Sequence, residues 1–305
     1  SYLHSYLFFR KMAKSNISGR LTSLDALRGF DLFVLTALGP LVLSVVAAIG
    51  GENLNWLAQI FTHKDWEGFS PWDLVMPLFV FMSGASIPFA LSKAKREGNV
   101  PKFLLRLAKR VALLWLLGMF VQGNLRALDP DHIYLYTNTL QSIAVGYLVS
   151  AVLFYFTSIR TQVICATLLL LAYWAVMQFT GADGFGYGNY TPEGNMAEWI
   201  DRQVLGHYRD QSSLAADGTV VYATWYHYTW ILSSLTFAAT ALTGVFAGHI
   251  AKSSLSSSQK LLWLLLGGTA MVAAGWICDL WIPIIKPIWT SSMALFSSGW
   301  CWLLL

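Results

Sequence analysis

Charge is what this sequence has least of. Only 12% of its 305 residues are Asp, Glu, Lys or Arg, about half the share found in ordinary soluble domains. A soluble chain of this length needs far more charge to cover its surface, so that class is excluded. Cysteine is scarce as well: Cys165, Cys278 and Cys301 all sit inside apolar runs, where they behave as small hydrophobes. No CxxC pair is present, so neither a disulfide framework nor a metal site is expected. The net charge of +4 is too small to argue for nucleic acid. There is no heptad, solenoid repeat or low-complexity tract. No signal peptide is recognisable either, because Tyr6 to Phe9 is too short for its apolar region and no small-residue cleavage site follows. Met12 is a candidate natural start.

What remains is hydrophobic. Apolar residues make up 56% of the chain, including 14 Trp, and the mean hydropathy is +0.53. About 20 consecutive apolar residues cross a bilayer core, and helices satisfy their backbone polar groups there. Eight segments qualify: roughly 27–50, 71–92, 103–122, 137–156, 161–179, 228–250, 260–282 and 288–305. The expectation is an all-α, polytopic transmembrane helix bundle of about eight spans. The sequence stops at Trp302–Leu305, inside an apolar run, so further spans are expected after it. Residues 1–20 read as a cytoplasmic N-terminal segment and 21–305 as one transmembrane domain. With the N-terminus in the cytoplasm and alternating spans, fifteen of the 20 Lys and Arg fall inside and five outside, as the positive-inside rule requires.

Two outer segments are long enough to carry function, about 51–70 and 180–227. In the second, Asn195 can cap a short helix, with Glu198 completing a capping box. Met196, Trp199, Ile200 and Gln203 would share one face, and Gly206 can end the helix.

Four constellations bear on chemistry. His63 lies in the first outer segment, ahead of Ser70-Pro71-Trp72-Asp73. An ordinary histidine titrates near pH 6.5 and serves as a general base or as a covalent acyl carrier; the plainer reading is an interfacial histidine. Asp73 fits position N3 of a helix capped by Ser70 with Pro71 at N1, a role that needs no catalysis. Asp25 and Arg28 share a helix face near the inner end of the first span, either as a structural ion pair or as part of a site. Lys102, Arg106 and Arg110 recur every four residues, with Lys109 beside them, at the start of the third span. They suit the phosphates of a nucleotide ligand, anionic lipid, or the topology signal itself. The outer aromatics Tyr187, Tyr190, Trp199, Tyr208, Trp225, Tyr226 and Tyr228 suit sugar stacking or a plain membrane-interface belt.

The runs Leu24-Asp25-Ala26-Leu27-Arg28-Gly29, His63 with Trp66 and Gly68, and Asp73-Leu74-Val75-Met76-Pro77-Leu78-Phe79-Val80-Phe81-Met82-Ser83-Gly84 resemble the heparan-alpha-glucosaminide N-acetyltransferase family. Leu140-Gln141-Ser142-Ile143-Ala144 and the stretch Gly244 to Gly248 are similar to later motifs of that family. The resemblance implies a bacterial inner-membrane homologue that transfers acetyl from cytosolic acetyl-CoA to an amino sugar or glycan outside the cytoplasm. His63 matches the family's active histidine. Glu52, with Asn53 beside it, stands where the family has an asparagine, and the large extracytoplasmic domain of animal members has no counterpart.

The implied catalytic residues are His63 and Asp73, and the implied acetyl-CoA contacts are Arg28, Arg106, Arg110 and Gln141. Membrane lipid is a further expected partner, and a homo-oligomer is allowed. The alternative is a transporter or flippase of a glycan or lipid precursor, which calls for helices broken near the midplane; Gly39-Pro40 in the first span is such a break. A purely structural or lipid-binding membrane protein is the third option.

Overall fold

The computed structural model describes residues 21–49, 54–121 and 133–305. The segment 1–20, the Glu52–Asn53 pair and Arg126 lie outside the described residues. In chain order the helices are α1 (Thr22–Ile49), α2 (Asn55–Ile60), α3 (Pro71–Glu97), α4 (Val100–Val121), α5 (Thr139–Phe156), α6 (Ile159–Phe179), α7 (Met196–Leu205), α8 (Ser233–Lys252), α9 (Ser257–Cys278) and α10 (Ser291–Leu304). Between α7 and α8 lies an antiparallel pair, β1 (Ser212–Leu214) and β2 (Val220–Tyr222). The protein is all-α in class and an integral membrane protein.

Six helices among the described residues are long and apolar enough to cross a bilayer: α1, α3, α5, α6, α8 and α9. This corrects the expected eight. The other two expected spans are helical but fall short for different reasons. α4 carries Lys102, Arg106, Lys109 and Arg110 in its first three turns, and α10 has 14 residues.

The bundle is built around α3 and α8. Gly84 on α3 lies against the Ala241 carbonyl, while Gly244 and Gly248 on α8 lie against the carbonyls of Phe81 and Ala85. A Cβ at any of the three would overlap the facing backbone. Small residues four apart let two membrane helices touch backbone to backbone, where dispersion contacts replace the missing hydrophobic drive. The flanks carry the lipid-facing residues: Phe33 and Leu41 on α1, Leu113 on α4, Leu168 on α6 and Leu262 on α9 are exposed.

α1 does not break at Gly39-Pro40. A π-helical turn at Val34–Leu38 precedes the pair, and the helix continues to Ile49. Proline lacks an N–H and crowds the preceding turn, and a widened turn absorbs that misfit. Gly39 leaves room for the indole of Trp72, which brings α1 against the start of α3.

At one end of the bundle the loops meet. The Gly68 N–H donates to the Ile284 carbonyl at 2.8 Å, and the Leu135 N–H donates to Tyr208 at 3.0 Å. α7 begins and ends where expected: the Asn195 side chain accepts from the Glu198 N–H at 2.8 Å, and Gly206 follows at φ +53°. From the expected shared face, Met196 and Ile200 pack partly buried against the core. Ala197, Glu198, Asp201 and Leu205 point inward, and Gln203 is exposed. Polar residues win that face because they have partners there. Glu198 leaves the capping box to bind Arg202 and the buried Arg209. Asp201 accepts from the N–H groups of Trp230 and Ile231 at 2.8 and 2.9 Å.

Candidate active site

The helix cap at Ser70 is the starting point. Asp73 Oδ2 accepts from the Ser70 N–H at 2.9 Å, as the cap reading required. The other oxygen, Oδ1, lies 2.7 Å from His63 Nδ1. One carboxylate therefore closes the first turn of α3 and holds the histidine. Because a carboxylate only accepts, Nδ1 carries the proton in this pairing, and Nε2 keeps its lone pair. Asp73 is buried while His63 is partly open.

A third group, absent from the sequence reading, completes the cluster. Lys286 is buried in the loop between α9 and α10. Its Nζ lies 3.6 Å from Asp73 Oδ1 and 2.9 and 3.2 Å from the two ring nitrogens of His63. The in-plane lone-pair directions of an imidazole diverge, so an amine close to both nitrogens sits over the ring face. Burial lowers the Lys286 pKa to about 8, against the opposing pull of Asp73. The available signal was a lone lysine inside Ile282-Pro283-Ile284-Ile285-Lys286-Pro287-Ile288, a charge in a proline-bracketed apolar run.

These residues face a cavity of about 520 Å³ lined by His63, Lys286, Trp72, Tyr226, Tyr228 and Asp210, among others. That volume suits a small ligand. Burial raises the Asp210 carboxyl above its ordinary value, with Tyr226 and Gln211 opposing. The expected aromatic group divides here. Tyr226 is buried on the cavity wall, whereas Tyr187 and Trp225 are 80% and 70% exposed and suit the interface.

The wall is held from behind. Arg209, fully buried, donates to Glu198 and to the carbonyls of Tyr226 and Tyr228 at 3.2 and 3.4 Å. Asp201 fixes the next residues through the Trp230 and Ile231 amides, and its burial raises its pKa to about 7.

The expected acetyl-CoA contacts are only partly assembled. Arg28 pairs with Asp25 at 3.7 Å, donates to the Met82 carbonyl at 3.3 Å and lines a cavity of about 260 Å³ with Ser86 and Phe89. Arg110 stacks 4.0 Å over the Tyr147 ring, near enough to Arg28 for the charges to interact. Arg106 is exposed on the same helix. Gln141 is not brought to these arginines. It is fully buried, its Oε1 accepts from the Thr137 N–H at 2.7 Å, and its Nε2 donates to the Leu135 carbonyl at 2.8 Å. Both ends of its amide are spent on the loop at the rim of the His63 cavity. Met82 is nine residue steps beyond Asp73 on α3, so the histidine and arginine clusters are separated by about 14 Å along that helix. No group of metal-ligating side chains occurs among the described residues.

Residues 20–189, more than half of the chain, match the family described as domain of unknown function (DUF5009). The chain is also similar to heparan-alpha-glucosaminide N-acetyltransferase of Homo sapiens, with 27% identity over 95% of this chain and 48% of that protein. The Mus musculus protein of the same name is 26% identical over 93% and 48%. The chain thus spans about half the length of the curated relatives it matches.

Proposed function

We propose, from a chain that belongs to the DUF5009 family and is a distant homologue of these acetyltransferases, that the protein is a transmembrane acyltransferase. The donor is acetyl-CoA, and the acceptor is an amine or hydroxyl of an amino sugar or glycan. The observation that supports this most is the His63–Asp73 pair opening on the 520 Å³ cavity. It is the base-and-orienter arrangement that acyl transfer uses.

In this reading the acceptor sits in the cavity and Nε2 of His63 removes its proton as it attacks the thioester carbonyl. The new bond to carbon forms as the carbonyl π pair moves onto oxygen. The Lys286 ammonium is the nearest positive charge for that oxyanion. Collapse expels the thiolate of coenzyme A, which takes the proton back from the imidazolium. A transient acetyl-imidazole at Nε2 is the covalent variant of the same site. Arg28, Arg106 and Arg110 would meet the phosphates at the other end of α3, and the flexible arm of coenzyme A would bridge the intervening 14 Å or so. The placement follows the positive-inside bias, with the N-terminus and the arginines cytoplasmic and residues 180–227 outside, in a bacterial inner membrane.

The direct test is acetyl transfer from acetyl-CoA to glucosamine by the purified protein in detergent. His63→Ala and His63→Asn should each lower the rate by about 10²–10⁴-fold, the usual contribution of a positioned base, while acetyl-CoA binding is kept. Wild-type rates in both variants would remove His63 from the chemistry.

A further inference from the structure

Two non-glycine residues among those described have positive φ, Gln211 at +58° and Trp289 at +48°. Bulky side chains rarely adopt that conformation, and such strain gathers at functional sites, where the surroundings hold it in place. Each lies in a segment that supplies a side chain to the His63 cavity, Asp210 in one case and Lys286 in the other.

Lys286 rides on a four-residue turn. Its carbonyl accepts from the Trp289 N–H at 3.0 Å. Pro287 takes the second position, which suits its fixed φ, and Trp289 takes the fourth, where glycine is favoured. The indole is what keeps a tryptophan there. It is 1% exposed, packs edge-on to Phe237 with ring centres 4.8 Å apart, and donates from Nε1 to Thr240 Oγ1 at 3.3 Å. Both partners belong to α8, at the centre of the bundle. The neighbouring Ile288 carbonyl accepts from the Tyr173 hydroxyl at 2.6 Å and from Ser233 Oγ at 2.9 Å. On the other side of Lys286, the Ile284 carbonyl accepts from the N–H of Gly68, in the loop that carries His63. The turn is thus tied to the bundle at one end and to the histidine's loop at the other. A lysine has a flexible four-carbon stem, and it reaches one point over the His63 ring only if its backbone is fixed.

We propose that Trp289 is a positioning residue of the site: its anchored indole holds the strained turn that carries the Lys286 amine over the His63 ring. The reaction this serves rests on the acetyl-transfer reading; the placement of the amine does not.

Two measurements on the full chain in detergent test it. The first is the pH dependence of Lys286 acetylation by acetic anhydride, read by mass spectrometry. Its midpoint should lie near 8 in the wild type. In Trp289→Gly, which suits the backbone but has no anchor, the midpoint should rise toward the ordinary lysine value of about 10.4. Trp289→Phe, which keeps a ring against Phe237, should stay near the wild type. Thr240→Val, which takes only the indole's acceptor, should move in the same direction as Trp289→Gly by a smaller amount, and it serves if Trp289→Gly does not fold. The second measurement is acetyl transfer from acetyl-CoA to glucosamine. Trp289→Gly should slow it by about ten- to a hundredfold, the scale of a small misplacement. In a Lys286→Met background the same substitution should change the rate little, because residues that act through one group are not additive. A midpoint unmoved in both Trp289→Gly and Thr240→Val, or an equal loss of rate with and without Lys286, overturns the positioning role and leaves the acyltransferase reading standing. A midpoint that moves in a protein without transfer activity does the reverse.

Discussion

At the residue scale, the site is an exercise in one carboxylate doing two jobs. Asp73 caps α3 through Oδ2 and orients His63 through Oδ1. The sequence made the first job legible, because Ser-Pro-x-Asp is a local pattern, and it placed His63 near enough for the second. Lys286 was out of reach, since 223 residues separate it from His63 and no local rule brings them together. Its chemistry leads to a pH prediction. With its pKa lowered to about 8 by burial, Lys286 is charged below that pH and neutral above it. If the ammonium serves the oxyanion, kcat/KM for acetyl transfer should fall as pH rises through about 8. Lys286→Met should be slow throughout and lack that alkaline limb. A limb at the same pH in Lys286→Met would assign it to another group.

At the element scale, the long segment between α6 and α8 is a folded support for the cavity. Hydropathy could show only that it was too long for a connector. The Asn195 cap and the Gly206 stop were readable because caps are local. The inward turn of Glu198 and Asp201 was not, because it depends on Arg209 and on the Trp230 and Ile231 amides, 11 and about 30 residues away. A buried ion pair that loses one partner leaves an uncompensated charge, at a cost of about 3–5 kcal/mol. Glu198→Gln should therefore lower the melting temperature clearly and raise the KM for the sugar acceptor, as Arg209 releases the Tyr226 and Tyr228 backbone. The affinity for acetyl-CoA should stay near wild type. A melting temperature equal to the wild type's would mean that this network does not hold the segment between α6 and α8.

At the scale of the whole molecule, hydropathy located every long helix among the described residues, since apolar length is what a bilayer demands. It overcounted the qualifying spans at α4, where three of the four basic residues that prompted a phosphate reading lie within the apolar stretch itself. Whether Arg106 and Arg110 serve phosphates or topology is decided by binding. Their double alanine variant should bind acetyl-CoA several-fold more weakly, with the loss shrinking at high salt as screening removes the contribution of exposed charges. Unchanged affinity would assign them to lipid and topology.

The proposed reaction joins two ends of one helix: an acyl donor held by arginines and an acceptor activated by His63, from opposite faces of a membrane. Proteoliposomes of one insertion orientation, supplied with acetyl-CoA on one face and glucosamine on the other, test it most directly. Acetylated glucosamine should form only when acetyl-CoA is on the Arg28 face and the sugar on the His63 face, with His63→Ala slower by about 10²–10⁴-fold. Product formed equally with both substrates confined to the Arg28 face, or formed by His63→Ala at the wild-type rate, would contradict it.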